Sequence, residues 1–184
     1  MTHNKVKSLV ITAMSIALCV VLPMVFHSFP NGGSIFCPMH IPVLLCGLAC
    51  GWPWGLVAGL LGPVMSHLLG SGMPPIAVLP GMMVECAVYG AATGILLKHI
   101  HTGKNVADLY ISLIGAMLLG RVLSGIAKAL ILAPGTTTLA AWATASFVTA
   151  LPGIMLHLIL VPALVASLTK ARILQPRYRE AIYE

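Results

Sequence analysis

Apolar positions in this chain come in long uninterrupted runs, not in the alternation of a strand or the half-polar stripe of a surface helix. A helix needs about 20 apolar residues to cross the ~30 Å hydrocarbon core of a bilayer. Runs of that kind lie at about 8 to 27, 54 to 70, 76 to 97, 109 to 132 and 145 to 168. A further apolar segment, 40 to 51, is short for a span and ends at Trp52-Pro53-Trp54-Gly55, where proline and two interfacial aromatics favour a tight turn. Counted as a short or tilted span, it brings the total to six. The first run follows Lys5 and Lys7 as a signal peptide would. It exceeds a typical h-region, and no small-x-small cleavage site precedes Pro30, so it reads as a retained span.

Charge decides between five spans and six. Only 8% of residues are charged and 59% are hydrophobic, with mean hydropathy +1.00, whereas about a quarter of a soluble domain is charged. Eight of the ten Lys/Arg fall in three clusters: Lys5 and Lys7, Lys98 and Lys104, and Lys170, Arg172, Arg177 and Arg179. With the amino terminus inside, six spans place all three clusters in the cytoplasm and leave the external loops, about 28 to 39, 71 to 75 and 133 to 144, without charge. Five spans would put Lys98 and Lys104 opposite Lys5 and Lys7. The net charge of +6 flanks apolar segments and forms no basic stripe with interleaved aromatics, so nucleic acid is not the partner. The expected fold is an all-α integral membrane protein, one membrane domain over 1–184, with six transmembrane helices and both termini cytoplasmic.

The external loops are rich in turn formers: Pro30-Asn31-Gly32-Gly33-Ser34, Gly70-Ser71-Gly72-Met73-Pro74-Pro75 and Pro134-Gly135-Thr136-Thr137-Thr138. They read either as plain connectors or as polar lids over a small ligand, with Asn31 a ligand-facing candidate. No internal repeat appears, which weighs against a transporter of two pseudo-symmetric halves. Small residues recur at helix-contact spacing: Ala13 and Ala17, Gly55 and Gly59, Gly90 and Gly94. Such pairs let helix backbones approach closely in lipid.

Three charged residues lie inside apolar runs, where an ion costs roughly 2.5 to 3.5 kcal/mol even on a lenient scale. Glu85 and Arg121 each lie about 12 residues from the cytoplasmic end of a span, near 18 Å depth at ~1.5 Å per residue. An ion pair between adjacent antiparallel helices is the economical reading, either as a structural clamp or beside a ligand. Lys128, seven residues after Arg121, falls on the same helix face nearer the outside. It either snorkels to the surface or faces an anionic ligand. His27, His40 and His67 fall near the external ends of the first three spans and His157 lies within the sixth. Their spacing matches no metal-ligand pattern, so hydrogen bonding or pocket lining is preferred to metal.

The five cysteines, Cys19, Cys37, Cys46, Cys50 and Cys86, are odd in number and mostly within spans, so no disulfide framework is implied. Cys46 and Cys50, one turn apart, read as small apolar residues on a packed face. No phosphate loop, G-x-S-x-G elbow, H-E-x-x-H or close carboxylate pair occurs. An enzyme is not expected.

These residues resemble a known family, the substrate-binding S components of energy-coupling factor (ECF) vitamin transporters. The basic start before Ala13-Met14-Ser15-Ile16-Ala17, the stretch Phe36-Cys37-Pro38-Met39-His40-Ile41-Pro42-Val43-Leu44-Leu45, Gly72-Met73-Pro74-Pro75 and the segment from Glu85 to Gly90 carry the resemblance over essentially the whole chain. It implies a bundle in the bacterial plasma membrane that captures a vitamin outside. Such a bundle topples to carry its ligand inward, and works with a transmembrane coupling subunit and two ATPases. The chain would need no cofactor of its own, since ATP is used by the partners. The family's AxxxA docking surface for the coupling subunit matches Ala13 and Ala17. Pocket positions do not transfer by motif. From depth and polarity the ligand candidates are Lys128, Arg121, His40, His67, Asn31 and His157. Pantothenate would suit the cations, pyridoxine or a pyrimidine the histidines and polar loops; riboflavin and cobalamin also stay open. The alternatives are a metal-ion S component, which would use an amino-terminal histidine such as His3 although the topology puts His3 inside, and a non-transport membrane assembly protein.

Overall fold

The computed structural model describes residues 2–26, 32–69, 74–132, 138–171 and 173–174, and among these every regular element is helical. The elements are α1 (Thr2–Phe26), α2 (Gly32–Phe36), α3 (His40–Cys50), α4 (Trp52–Leu69), α5 (Leu79–His99), α6 (Asn105–Ala127), α7 (Leu139–Ala143) and α8 (Leu151–Lys170). Helix α6 runs on as a π-helical turn, Lys128–Leu132, and α7 as another, Thr144–Thr149. Four stretches are long and apolar enough to cross a membrane: Lys5–Phe26, Leu79–His99, Val106–Leu130 and Leu151–Lys170. The segments expected as the second and third spans are also helices. The 11 residues of α3 cover about 16 Å, and the 18 of α4 about 27 Å.

The long helices alternate in direction along the chain. Thr12 of α1 lies against Cys46 of α3 while Cys19 donates to the Met39 carbonyl, so α1 and α3 are antiparallel. Gly55 and Gly59 of α4 meet Gly90 and Cys86 of α5, and Gly115 and Gly120 of α6 meet Leu96 and Tyr89 of α5. One end of the bundle, here called distal, therefore gathers Phe26, α2, the start of α3 and the end of α6. At that end the Phe26 and Phe36 rings are 5.3 Å apart, and Gly153 near the start of α8 packs on the Ile35 and Phe36 carbonyls.

The tightest packing is a glycine seam. A Cβ on Gly47, Gly55 or Gly90 would strike backbone of a neighbouring helix, so α3, α4 and α5 converge at one point. Thr93 beside it is buried, its hydroxyl donating to the Tyr89 carbonyl at 2.8 Å and the Gly90 carbonyl at 3.2 Å. Around the seam Cys19, Val43, Leu44, Cys86, Tyr89, Leu113 and Val161 form the core. Outward faces stay apolar: Val10, Met14, Leu18, Val21 and Val25 on α1, and Ile111, Ile114, Leu118 and Val122 on α6, are all exposed. Faces this extensive are stable against lipid rather than water.

Several boundaries differ from expectation, two of them informatively. The run expected at 145 to 168 is divided, because Pro152 lacks an amide hydrogen and starts a new helix, α8. The preceding stretch forms α7 and its π turn, with Thr138 capping α7 by accepting from the Ala141 amide at 3.2 Å. The helix expected from 109 begins four residues earlier, at Asn105.

Candidate ligand site

Polar side chains collect at the distal end, where α3, α5, α6 and α8 meet. The turn that starts α3 sets the geometry. Cys37 adopts φ 46°, rare for a residue with a Cβ. Its carbonyl accepts from the His40 amide at 3.1 Å and pairs with Nε2 of His157 at 3.2 Å. That shared carbonyl brings the His40 and His157 rings to 5.7 Å between centroids. His40 also stands edge-on to Tyr89 of α5 at 4.8 Å. Gly120 lets Tyr89 lie flat on α6, since a Cβ there would enter the ring.

Tyr89 donates its hydroxyl to Oε1 of Glu85 at 2.9 Å, one turn back on the same helix. The Ser124 hydroxyl reaches the Arg121 carbonyl at 3.1 Å and Oε2 of Glu85 at 3.5 Å. The expected Glu85–Arg121 ion pair is therefore corrected: no carboxylate–guanidinium contact joins them among the described residues. Equal depth does not fix the direction in which a side chain leaves its helix, and hydroxyls take both Glu85 oxygens. Arg121 instead has the Cys37 side chain beside it and the Phe147 ring 5.9 Å from Cζ.

Arg121 is only 4% exposed, and among the described residues its Nε and Nη2 have no hydrogen-bond partner. Both ring nitrogens of His40 and Nδ1 of His157 are in the same condition. An unsatisfied buried polar group costs about 1–3 kcal/mol, and more if charged. Five such atoms within one cluster are therefore the strongest local signal among the described residues.

The other predicted residues separate. Lys128 opens the π turn and lays its methylenes on Gly81 of α5. His67 is apart, with Nδ1 2.8 Å from the Pro74 carbonyl, where it ties the end of α4 to the start of the next element. Asn31 and His27 lie outside the described residues, as do 70–73 and 133–137 of the expected lids. Ala13 and Ala17 are exposed on α1, whereas Gly55, Gly59, Gly90 and Gly94 pack internally. Among the described residues no group of three His, Cys, Asp or Glu is placed to hold a metal.

Sequence reasoning missed Tyr89, Ser124, Cys37, Trp142 and Phe147. Tyr89 at i+4 from Glu85 and Ser124 at i+3 from Arg121 were legible as same-face neighbours; the aromatics of 139–149 carried no such signal.

Long apolar helices enclosing a small set of uncompensated polar side chains define a multi-pass membrane protein built around a polar site. Residues 7–165 match the family described as ECF transporter, substrate-specific component. The match spans most of the chain, and the protein belongs to that family: it is a substrate-binding component of an ECF transporter. No curated protein and no solved structure matches it.

Proposed function

We propose that this chain captures a water-soluble vitamin at the distal end of its bundle and delivers it inward together with a transmembrane coupling subunit and two ATPases. The bundle crosses a bacterial plasma membrane six times, with both termini in the cytoplasm and the distal end outside. The helix directions support this orientation. Lys5 and Lys7 near the start of α1, Lys98 at the end of α5 and Lys104 before α6 all fall at the end opposite Arg121, as the positive-inside rule requires.

The observation that carries the site is Arg121, buried with two guanidinium nitrogens unpartnered beside the open nitrogens of His40 and His157. A guanidinium offers fixed in-plane donors to a carboxylate, carbonyl or phenolate. A neutral imidazole offers one donor and one acceptor. Together they suit a small ligand carrying several hydrogen-bonding groups. Lys128, half-buried along Gly81, extends the positive field toward the mouth. Ala13 and Ala17, small and exposed, offer the coupling subunit a surface its helices can approach closely.

The test is reconstitution. The isolated chain is expected to bind the vitamin tightly while showing no ATPase activity and no sustained uptake until the coupling subunit and ATPases are added. Robust concentrative uptake by the chain alone, without ATP, would contradict the proposal.

A further inference from the structure

The Arg121 guanidinium lies over an aromatic ring on an element that is largely exposed. Phe147 lies in the π turn Thr144–Thr149, and Cζ of Arg121 is 5.9 Å from its ring centroid. Phe147 is braced by Trp142, at 5.8 Å and 89° between rings. The Trp142 indole in turn fills the space left by the missing side chain of Gly125. These two contacts join 139–149 to α6. Elsewhere the segment is exposed at Thr138, Ala140, Ala141, Thr144, Ala145, Val148 and Thr149. A π turn sacrifices regular hydrogen-bond geometry and is found disproportionately at functional sites.

Stacked carbon planes sit about 3.5–4.0 Å apart, so a flat ring between Arg121 and Phe147 needs roughly 7–8 Å. The present distance of 5.9 Å from Cζ to the ring centroid is about 1–2 Å less than that. Displacement of the weakly anchored segment supplies that, whereas a branched aliphatic chain is thicker and needs more. The polar cluster is rich in rings as well: His40 contacts the rings of Tyr89 and His157, and His40 and His157 carry nitrogens without a partner among the described residues. Guanidinium faces accept aromatic planes, and guanidinium edges accept polar substituents.

We propose that Phe147 and Trp142 form the movable wall of the ligand site, and that the ligand is a planar nitrogen heteroaromatic ring with hydrogen-bond acceptors, stacked between Phe147 and the Arg121 guanidinium. This rests on Arg121 lying in the ligand site. A pyridine or pyrimidine fits it; an aliphatic acid such as pantothenate does not.

Mass spectrometry of the small molecule that co-purifies with the full chain is the first test. A ring-containing ligand is expected, and one without a heteroaromatic ring overturns the inference while leaving the capture function intact. If no small molecule is retained and none of pyridoxine, 4-amino-5-hydroxymethyl-2-methylpyrimidine and pantothenate binds, the capture function itself fails. With the identified ligand, Phe147→Leu is expected to weaken binding roughly 5- to 100-fold, the range of single-ring stacking losses. Phe147→Tyr should bind within about threefold of the original. In the unaltered chain the ligand should quench tryptophan fluorescence, and Trp142→Phe should abolish the quenching. Full affinity in Phe147→Leu, or quenching that survives Trp142→Phe, refutes the assignment.

Discussion

At Gly90 three helices touch backbone to backbone, and the buried Thr93 hydroxyl donates to two carbonyls. Nearer the distal end, Arg121, His40 and His157 are as deeply buried, yet five of their nitrogens have no partner among the described residues. The helices at the seam are regular, whereas the elements around Arg121 include two π turns and a left-handed Cys37. The first region holds the bundle together. The second carries buried polar atoms with no partner among the described residues, and on the proposed reading stability and ligand capture are divided between these two parts of one small bundle.

The division can be broken most severely at the seam. Gly90→Val places side-chain carbon where the Gly55 backbone lies, and backbone cannot step aside as a side chain does. Destabilisation of about 3 kcal/mol or more is expected, seen as loss of monodisperse protein in size-exclusion chromatography. Retention of the normal melting temperature would show that the seam is not what holds α4 to α5.

Next in size, Ala13→Trp and Ala17→Trp should each prevent co-purification with the coupling subunit while leaving ligand affinity nearly unchanged, because both alanines face outward from α1. If the complex assembles with both substitutions, the docking surface is elsewhere.

Arg121→Gln sharpens the contrast, since it should move affinity and stability differently. Loss of a buried charged contact to the ligand is expected to weaken binding about 100-fold. The melting temperature without ligand should hold or rise, because a buried charge lacking a full set of partners is removed. A large fall in melting temperature would place Arg121 with the seam as a structural residue.

The smallest effect belongs to His67→Ala. The side chain holds the Pro74 carbonyl, away from the Arg121 cluster, so about 1 kcal/mol of stability should be lost. Affinity should change less than about threefold. A much larger affinity loss, read by calorimetry, would bring His67 into the ligand site.

Much of this architecture is legible in the sequence, because bilayer thickness and charge act along the chain and leave one-dimensional traces. The apolar runs become helices, Trp52-Pro53-Trp54 marks the break between α3 and α4, and Gly55, Gly59 and Gly90 are close-approach sites. Depth along a helix was readable for Glu85 and Arg121. Azimuth was not, so the expected ion pair gave way to Tyr89 and Ser124 as partners of Glu85. Lys128, seven residues after Arg121, caps the regular helix and opens the π turn that follows, a change of backbone the sequence does not announce. The pairing of His40 with His157 depends on the Cys37 carbonyl between them, across a sequence separation of more than a hundred residues that no local pattern reports.

The central claim is that the unpartnered nitrogens around Arg121 are the ligand site, and calorimetric titration of the co-purifying ligand into the isolated chain and into Arg121→Gln tests it most directly. Binding to the first should be tight and binding to the second about 100-fold weaker, with both proteins equally folded. Equal affinity in the two would contradict it.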